Sequence, residues 1–371
     1  MNILMICNTD GAMFNFRGPL IKRHVADGDK VYCMCNNIDG YSQELYALGV
    51  DKVLDVGFDF KIRHGIEFSR SLKSCIHEYQ ITHIHVYTIV SILYFFLVSE
   101  IPRPTRVVVA TFTGLGRLFG PKSTFLGRTF VLFILGIIFK KFNTIFFQNE
   151  EDFNYFSKRL SFGKNKYQLV YGSGIEIEEK EARKSVDYWS SKLLEHKQYS
   201  RLCLMASRLV IEKGYKDFYA CADLLKKTHP DILFVHIGPL NREIIAQGLS
   251  LSRENLIILP YHKEYKSLLE LVDVFVLPSY YREGIPRSLI EAVLFNKRIV
   301  TTNYSGCKHT VIEGKNGYLV SPKNPEQLAQ AILSSLSLDE LQVSKANTLL
   351  LKHKFNINIH YRKNLEVYDK F

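Results

Sequence analysis

Paired cysteines are missing from this chain. Its seven cysteines (Cys7, Cys33, Cys35, Cys75, Cys203, Cys221 and Cys307) are odd in number and scattered, without a C-x-x-C pair. A disulfide framework and a zinc ribbon are thereby disfavoured, and a reducing compartment fits best. Also missing is any apolar run of the ~20 residues that a membrane-spanning helix needs. The longest, 130–139, is stopped by Lys140 and Lys141; a second, 86–98, is short and contains Ser91 and Tyr94. Residues 1–7 lack a basic stretch and a cleavage site, so they read as a buried strand and not as a signal peptide. Low-complexity tracts and internal repeats are absent too. Acidic residues are the scarcer charge, 37 Asp and Glu against 48 Lys and Arg, for a formal net charge of +11. Such an excess asks for an anionic partner: nucleic acid, a phosphorylated substrate or an acidic membrane surface.

What is present is the composition of a folded protein, 47% hydrophobic and 23% charged, over 371 residues, too long for one ordinary core. Apolar runs at 2–7, 30–35, 81–86, 106–112 and 144–148 read as buried strands, the last closing the set. Helices are expected at 18–27, behind Pro19, and at 42–48. This alternation implies a doubly wound parallel sheet. The pattern restarts near residue 200, with strands at 201–206, 232–237, 256–259, 274–277 and 298–302. Between the halves, 172–198 is polar and charged, as suits a linker and a first helix. The expected organisation is a domain over 1–175, a second over 176–355, and a tail helix, 356–371, packing back on the first. Two such α/β domains would place a cleft between the carboxyl ends of their sheets, where ligands of open sheets bind.

The chemistry concentrates in the second half. Arg208 and Lys213-Gly214 follow the strand at 201–206, and two fixed cations there suit a diphosphate. Alone, a basic loop is more often a solvated face. The stretch Glu283-Gly284-Ile285-Pro286-Arg287-Ser288 follows the strand at 274–277 and opens a helix that carries Glu291. Pro286 fits the first helical turn, where its missing N–H costs nothing. Backbone N–H groups from Gly284 to Ser288 make an anion site at the positive helix end, and Gly284 lets the backbone approach a ligand. Glu291 is placed to accept hydrogen bonds from vicinal hydroxyls, as on a ribose, and Glu283 from those of a sugar. In isolation, two glutamates near a helix start are as often plain surface charge. Gly306, in the loop Thr302-Asn303-Tyr304-Ser305-Gly306-Cys307, would wall the phosphate or sugar site.

In order and spacing these segments, with Glu313-Gly314-x-Asn316-Gly317-Tyr318-Leu319-Val320, resemble family 4 of the retaining glycosyltransferases. The resemblance implies the GT-B fold, an α/β architecture of two Rossmann-like doubly wound domains facing a central cleft. It implies that Arg208 and Lys213 hold the donor diphosphate, Glu291 the ribose and Glu283 the transferred sugar, with the base near Tyr261 and His262. It implies a UDP-sugar as substrate, no cofactor and no bound metal. In the first half, Gly11 follows the first strand and joins the donor set. Phe16-Arg17-Gly18-Pro19-Leu20-Ile21, taken to open the next helix, and Thr113-Gly114-Leu115-Gly116-Arg117 resemble the branch of that family that extends undecaprenyl-diphosphate-linked glycans. That likeness makes Arg17, Gly114, Gly116 and Arg117 acceptor-binding residues and an N-acetylhexosamine the sugar. Many family members carry a histidine where this chain has Phe112-Thr113-Gly114, which leaves the first-half catalytic group unnamed. Transfer by a same-face ion-pair route needs no protein nucleophile. His83 and His85 share one strand face but lack a third ligand nearby, so they read as core or cleft-edge residues.

From Arg103 to Lys141 no acidic residue interrupts the basic ones, and Phe125, Leu126, Phe130, Val131, Leu132, Phe133, Ile134 and Leu135 lie among them. Aromatics flanked by cations suit an anionic bilayer surface; the alternative is a core helix of the first domain. The expected protein is therefore cytoplasmic, peripheral on the inner face of the plasma membrane, with an undecaprenyl-diphosphate-type glycolipid as acceptor. Two other readings stand beside it. A nucleotide-sugar epimerase of the same fold would turn over donor without acceptor. A non-enzymatic anion-binding protein would use the basic face, although no single-strand platform or recognition helix points to nucleic acid.

Overall fold

Continuous apolar runs form parallel strands that are buried on both faces, as expected where helices cover both sides of a sheet. The computed structural model describes residues 1–58, 62–98, 100–116, 124–160, 162–163, 166–177, 186–193, 198–239 and 254–371. They fall into two units: Met1–Glu176 with Asn356–Phe371, and Ile177–Phe355.

The first unit holds β1 (Asn2–Thr9), β2 (Lys30–Asn36), β3 (Lys52–Asp55), β4 (His83–Tyr87), β5 (Val107–Phe112), β6 (Thr144–Phe147) and β7 (Tyr167–Leu169). Their spatial order is β3-β2-β1-β4-β5-β6-β7, all parallel. The order reverses between β1 and β4, which opens a crevice at the carboxyl ends of those strands. One face packs Ile84, Val86, Ala110 and Ile145 against Leu135, Ile138 and Phe139 of the helix Phe125–Phe139. The other packs Ile3, Met5, Val31 and Val109 against Met13, Leu20 and Ile21 of the helix Asp10–Ala26.

That helix begins eight residues before the expected start at 18, at Asp10. Thr9 is its N-cap and accepts from Ala12 N at 3.1 Å, a contact worth ~1 kcal/mol. Asp10 in the first turn favours the positive helix end and accepts from Asp39 N and Tyr41 N. Phe16-Arg17-Gly18-Pro19 therefore lies inside the helix and does not open it, with Pro19 tolerated in its middle. The strand set does not close at 144–148 either, because β7 adds at the edge with Ile145 opposite Tyr167. The helix Ile357–Tyr368 lies on the same face as Asp10–Ala26. Asn356 caps it and bridges Ile175, while Tyr361 Oη donates to Asp27 at 2.7 Å and Lys363 Nζ to the Leu169 carbonyl at 2.6 Å.

The second unit holds β8 (Arg201–Ala206), β9 (Ile232–Gly238), β10 (Leu256–Pro260), β11 (Val274–Leu277), β12 (Arg298–Thr302) and β13 (Gly317–Val320). Their order, β10-β9-β8-β11-β12-β13, reverses between β8 and β11. Within the polar stretch 172–198, the helix Val186–Lys192 is anchored by buried Trp189, whose Nε1 donates to the Glu264 carbonyl and to Ser267 Oγ. The motif Glu313-Gly314-x-Asn316-Gly317 is a structural stitch. Asn316 is fully buried, donates to the Thr310 carbonyl and Asn347 Oδ1, and accepts from Ile312 N.

Candidate active site

The expected site residues of the second half follow the carboxyl ends of β8, β10, β11 and β12, on the loops that leave them and on the helix Arg287–Leu294. After Ala206 the chain makes a short turn, Ile211–Lys213, ended by Gly214 in the left-handed region at φ 79°. A Cβ on Gly214 would meet the Pro278 carbonyl oxygen at 2.1 Å, so only glycine lets this turn pack on the loop after β11. Tyr280 N donates to the Glu212 carbonyl at 2.8 Å and joins the two loops again. Gly214→Ala is expected to cost at least about 2 kcal/mol, from backbone conformation and backbone clash together. Urea unfolding checks it, and an unchanged midpoint would show that the loops part without cost.

These contacts bring Lys213 to Glu283, with Nζ 2.5 Å from Oε1. The side chains are 11% and 19% exposed, so the pair is largely shielded from water. Ser279 Oγ lies 3.3 Å from the same Glu283 oxygen. The loop after β12 closes on this group: Gly306, at φ 80°, would place a Cβ 1.7 Å from the Gly284 carbonyl oxygen. Thr302 Oγ1 donates to the Ser279 carbonyl. Arg208 is exposed beside the pair of loops.

Pro286 is the N-cap residue of the helix Arg287–Leu294, one position before the first turn expected for it, because its ψ of 125° is extended. Gly284, Ile285 and Pro286 are buried, and Arg287 and Ser288 are half-buried. Glu291, at 2% exposure, is held from several sides. Arg287 Nε approaches its Oε1 at 3.3 Å and Lys266 Nζ at 3.6 Å, while Tyr265 Oη donates to Oε2. Tyr261 is exposed, its ring 6.4 Å from that of Tyr265. His262 stacks on Tyr188 at 4.9 Å and meets the edge of Trp189 at 5.2 Å.

Two residues here had no place in the sequence reading. Tyr265 is one. The other is His236 of β9, which bonds Tyr219 Oη through Nδ1 and the Ser207 carbonyl through Nε2. Burial lowers its pKa to about 4, so the neutral ring braces the start of the Arg208 loop. A lone histidine inside the apolar run Leu233-Phe234-Val235-His236-Ile237 was the available signal.

The first-unit residues are dispersed differently. Gly11 is buried in the first helical turn, where a Cβ would meet Asp39 Oδ2 at 2.5 Å. Arg17 is buried, its guanidinium 4.3 Å from the centre of the Tyr87 ring. Gly114 and Gly116 follow β5 with φ of 118° and 52°, a turn that glycine adopts readily. Arg117 lies outside the described residues. His85 is a core residue, bonded to Tyr368 Oη and Thr111 Oγ1 at 2.7 Å each, and burial drives it well below the usual histidine range. Among the described residues no group of three His, Cys, Asp or Glu side chains could hold a metal ion.

Residues 190–347 match the family model described as glycosyl transferases group 1. The chain is 24% identical over 389 aligned residues to the Campylobacter jejuni protein named N,N'-diacetylbacillosaminyl-diphospho-undecaprenol alpha-1,3-N-acetylgalactosaminyltransferase, covering 100% of this chain and 99% of that one. It is 34% identical over 138 residues, 34% of each chain, to the putative colanic acid biosynthesis glycosyltransferase WcaL of Escherichia coli. Among solved structures, a glycosyltransferase from Rickettsia africae superposes with a TM-score of 0.78 at 19% identity, over 100% of this chain and 98% of that one. HepE of Anabaena in complex with UDP gives 0.77 at 16% identity, over 100% of both. The two parallel-sheet, Rossmann-like units have the fold of GT-B glycosyltransferases, and residues 190–347 match a glycosyltransferase group 1 domain.

Proposed function

We propose that this protein is a retaining, metal-independent glycosyltransferase that moves an N-acetylhexosamine from a UDP-sugar to a lipid-diphosphate-linked glycan at an anionic membrane surface. The observation that carries the reading is the Lys213–Glu283 ion pair at the reversal point of one parallel sheet, with Arg208 on the same loop as Lys213 and Glu291 on the helix that follows Glu283. Lys213 and Arg208 offset charge as it develops on the departing diphosphate. Glu283 orients the sugar, and Glu291 takes the ribose hydroxyls. The acceptor hydroxyl attacks the face that the diphosphate leaves and passes its proton to the departing phosphate oxygen, so no protein nucleophile is required. A structural neighbour that binds UDP supports the nucleotide, and the name of the Campylobacter relative supports the lipid-linked acceptor and the sugar.

Membrane docking is supported by the helix Phe125–Phe139. Its inner face buries Leu135, Ile138 and Phe139, while Leu126, Phe130 and Phe133 are 79%, 64% and 66% exposed. Spacing of three and four residues puts those three, with Ile137, on one stripe. Lys140 is exposed at its end, and Lys141 donates to the carbonyls of Phe95 and Val98, beside exposed Phe96 and Leu97. Apolar side chains next to cations suit the headgroup boundary. Phe130→Glu with Phe133→Glu is expected to weaken binding to phosphatidylglycerol vesicles at least about 10-fold, with the melting temperature unchanged. Undiminished vesicle binding would remove this face from the proposal.

The deciding experiment measures nucleotide release from a panel of UDP- and GDP-sugars, with and without bacterial lipid-linked acceptors. Acceptor-dependent release of UDP from one sugar is expected. Donor turnover without acceptor would favour the epimerase reading instead.

A further inference from the structure

Glu291 is a carboxylate whose position is set by its neighbours and not by its own helix alone. Oε2 accepts from Tyr265 Oη and Oε1 from Arg287 Nε at 3.3 Å. Lys266 Nζ, at 3.6 Å, adds charge but lies beyond hydrogen-bonding distance. A carboxylate offers about four acceptor positions. The two bonds leave one on each oxygen, the number a vicinal diol fills.

The neighbours differ in what they fix. Arg287 sits one helical turn before Glu291, so its bond is local to the helix. Tyr265 comes from the turn Tyr265–Leu268, beyond β10, and is the tie from outside that helix to Oε2. Burial and the Glu291 charge raise the phenol well above its usual range, so it keeps its proton and donates. A phenylalanine would fill the same space without this bond, so the hydroxyl serves the carboxylate.

We infer that Tyr265 is a positioning residue: it turns the Glu291 carboxylate so that one acceptor position on each oxygen meets a cis-diol, and it thereby sets the preference for a ribonucleotide over its 2′-deoxy form. The inference rests on the assignment of Glu291 to the ribose. Its test is the affinity of the full chain for UDP, GDP and their 2′-deoxy forms, by calorimetry, for the wild type, Tyr265→Phe and Glu291→Ala. The wild type is expected to prefer the ribo form by at least about 10-fold, since the 2′-deoxy form keeps its 3′-hydroxyl and one hydrogen bond to a charged group is at stake. Tyr265→Phe is expected to lose about 10-fold in affinity for the ribo form and to narrow the preference. Its kcat at saturating donor and its melting temperature stay near wild type, a split that a merely structural role would not produce.

Unchanged affinity and preference in Tyr265→Phe, beside a preference abolished in Glu291→Ala, would overturn the positioning role and leave the ribose assignment standing. A preference retained in Glu291→Ala would overturn the assignment itself, and the inference with it. Binding of none of the four nucleotides would do the same.

Discussion

Lys213→Ala is expected to lower kcat about 10²–10³-fold while KM for the donor changes little. The ammonium is fixed by Glu283 at 2.5 Å and by a turn that Gly214 lets pack against Pro278, so it is oriented before the reaction begins. A cation held in place stabilises the departing diphosphate more than one swinging in water, because no reorganisation is needed at the moment of bond breaking. The same substitution leaves a shielded Glu283 without its ion-pair partner, so a second effect is expected on stability, of about 3 kcal/mol. Adding Glu283→Gln removes the charge that Lys213 had paired. In the double variant unfolding stability should recover while kcat stays low, which separates catalysis from folding. Steady-state kinetics and urea unfolding on the four members of the cycle decide the matter. Near-normal kcat in Lys213→Ala would refute the leaving-group role.

Glu291→Ala is expected to have the opposite kinetic signature. KM for the nucleotide-sugar should rise about 10²-fold, since two hydrogen bonds to a charged group are lost, while turnover of bound donor falls much less. The distinction follows from the role proposed for each side chain. Ribose is held equally in the ground state and the transition state, whereas charge on the diphosphate grows only as the bond breaks. Removing Glu291 also takes one acceptor from Arg287, which is 9% exposed, so a modest loss of melting temperature accompanies the change. Glu291→Gln keeps the acceptor oxygen and should recover part of the affinity. A donor KM within twofold of wild type in Glu291→Ala would remove the residue from the donor site.

Central strands were legible in the sequence, as was the edge strand β10 with its apolar run Leu256–Leu259, whereas the other edge strands were not, for one physical reason. β8, β11 and β12 run over the expected residues because both faces are buried and the apolar run is unbroken between polar loops. β3, β7 and β13 lie at sheet edges, are three or four residues long, and are only half-buried at several positions, so their patterns dissolve into the neighbouring loops. The first helix was misplaced because Pro19 was taken as a start, when Thr9-Asp10 carried the stronger cap signal. In the site, the motif residues could be listed in order, but not the pairings among them. Lys213 and Glu283 stand 70 positions apart, and nothing in either local sequence announces that they touch. Tyr265 was invisible for the same reason, its role depending on a carboxylate 26 positions later. The apolar segment at 130–139 allowed two readings, core or surface. Three-residue spacing alone could not show that Leu135 points inward while Phe133 points out.

The tail helix carries a consequence for biosynthesis. Ile357–Tyr368 belongs to the first unit, yet it is translated after the whole of the second. A nascent chain that has reached Glu176 already contains β1 to β7, but Ile3, Met5 and Tyr87 still await Ile357, Tyr361 and Tyr368, and His85 awaits the Tyr368 hydroxyl. The order of completion on the ribosome is therefore inverted. The second unit, whose residues are contiguous, can finish first, while, until the tail helix emerges, the first unit keeps uncovered the part of this face that Asp10–Ala26 does not reach. A stop codon near residue 355 would spare every residue of the proposed donor site and still release a protein with an exposed, aggregation-prone sheet.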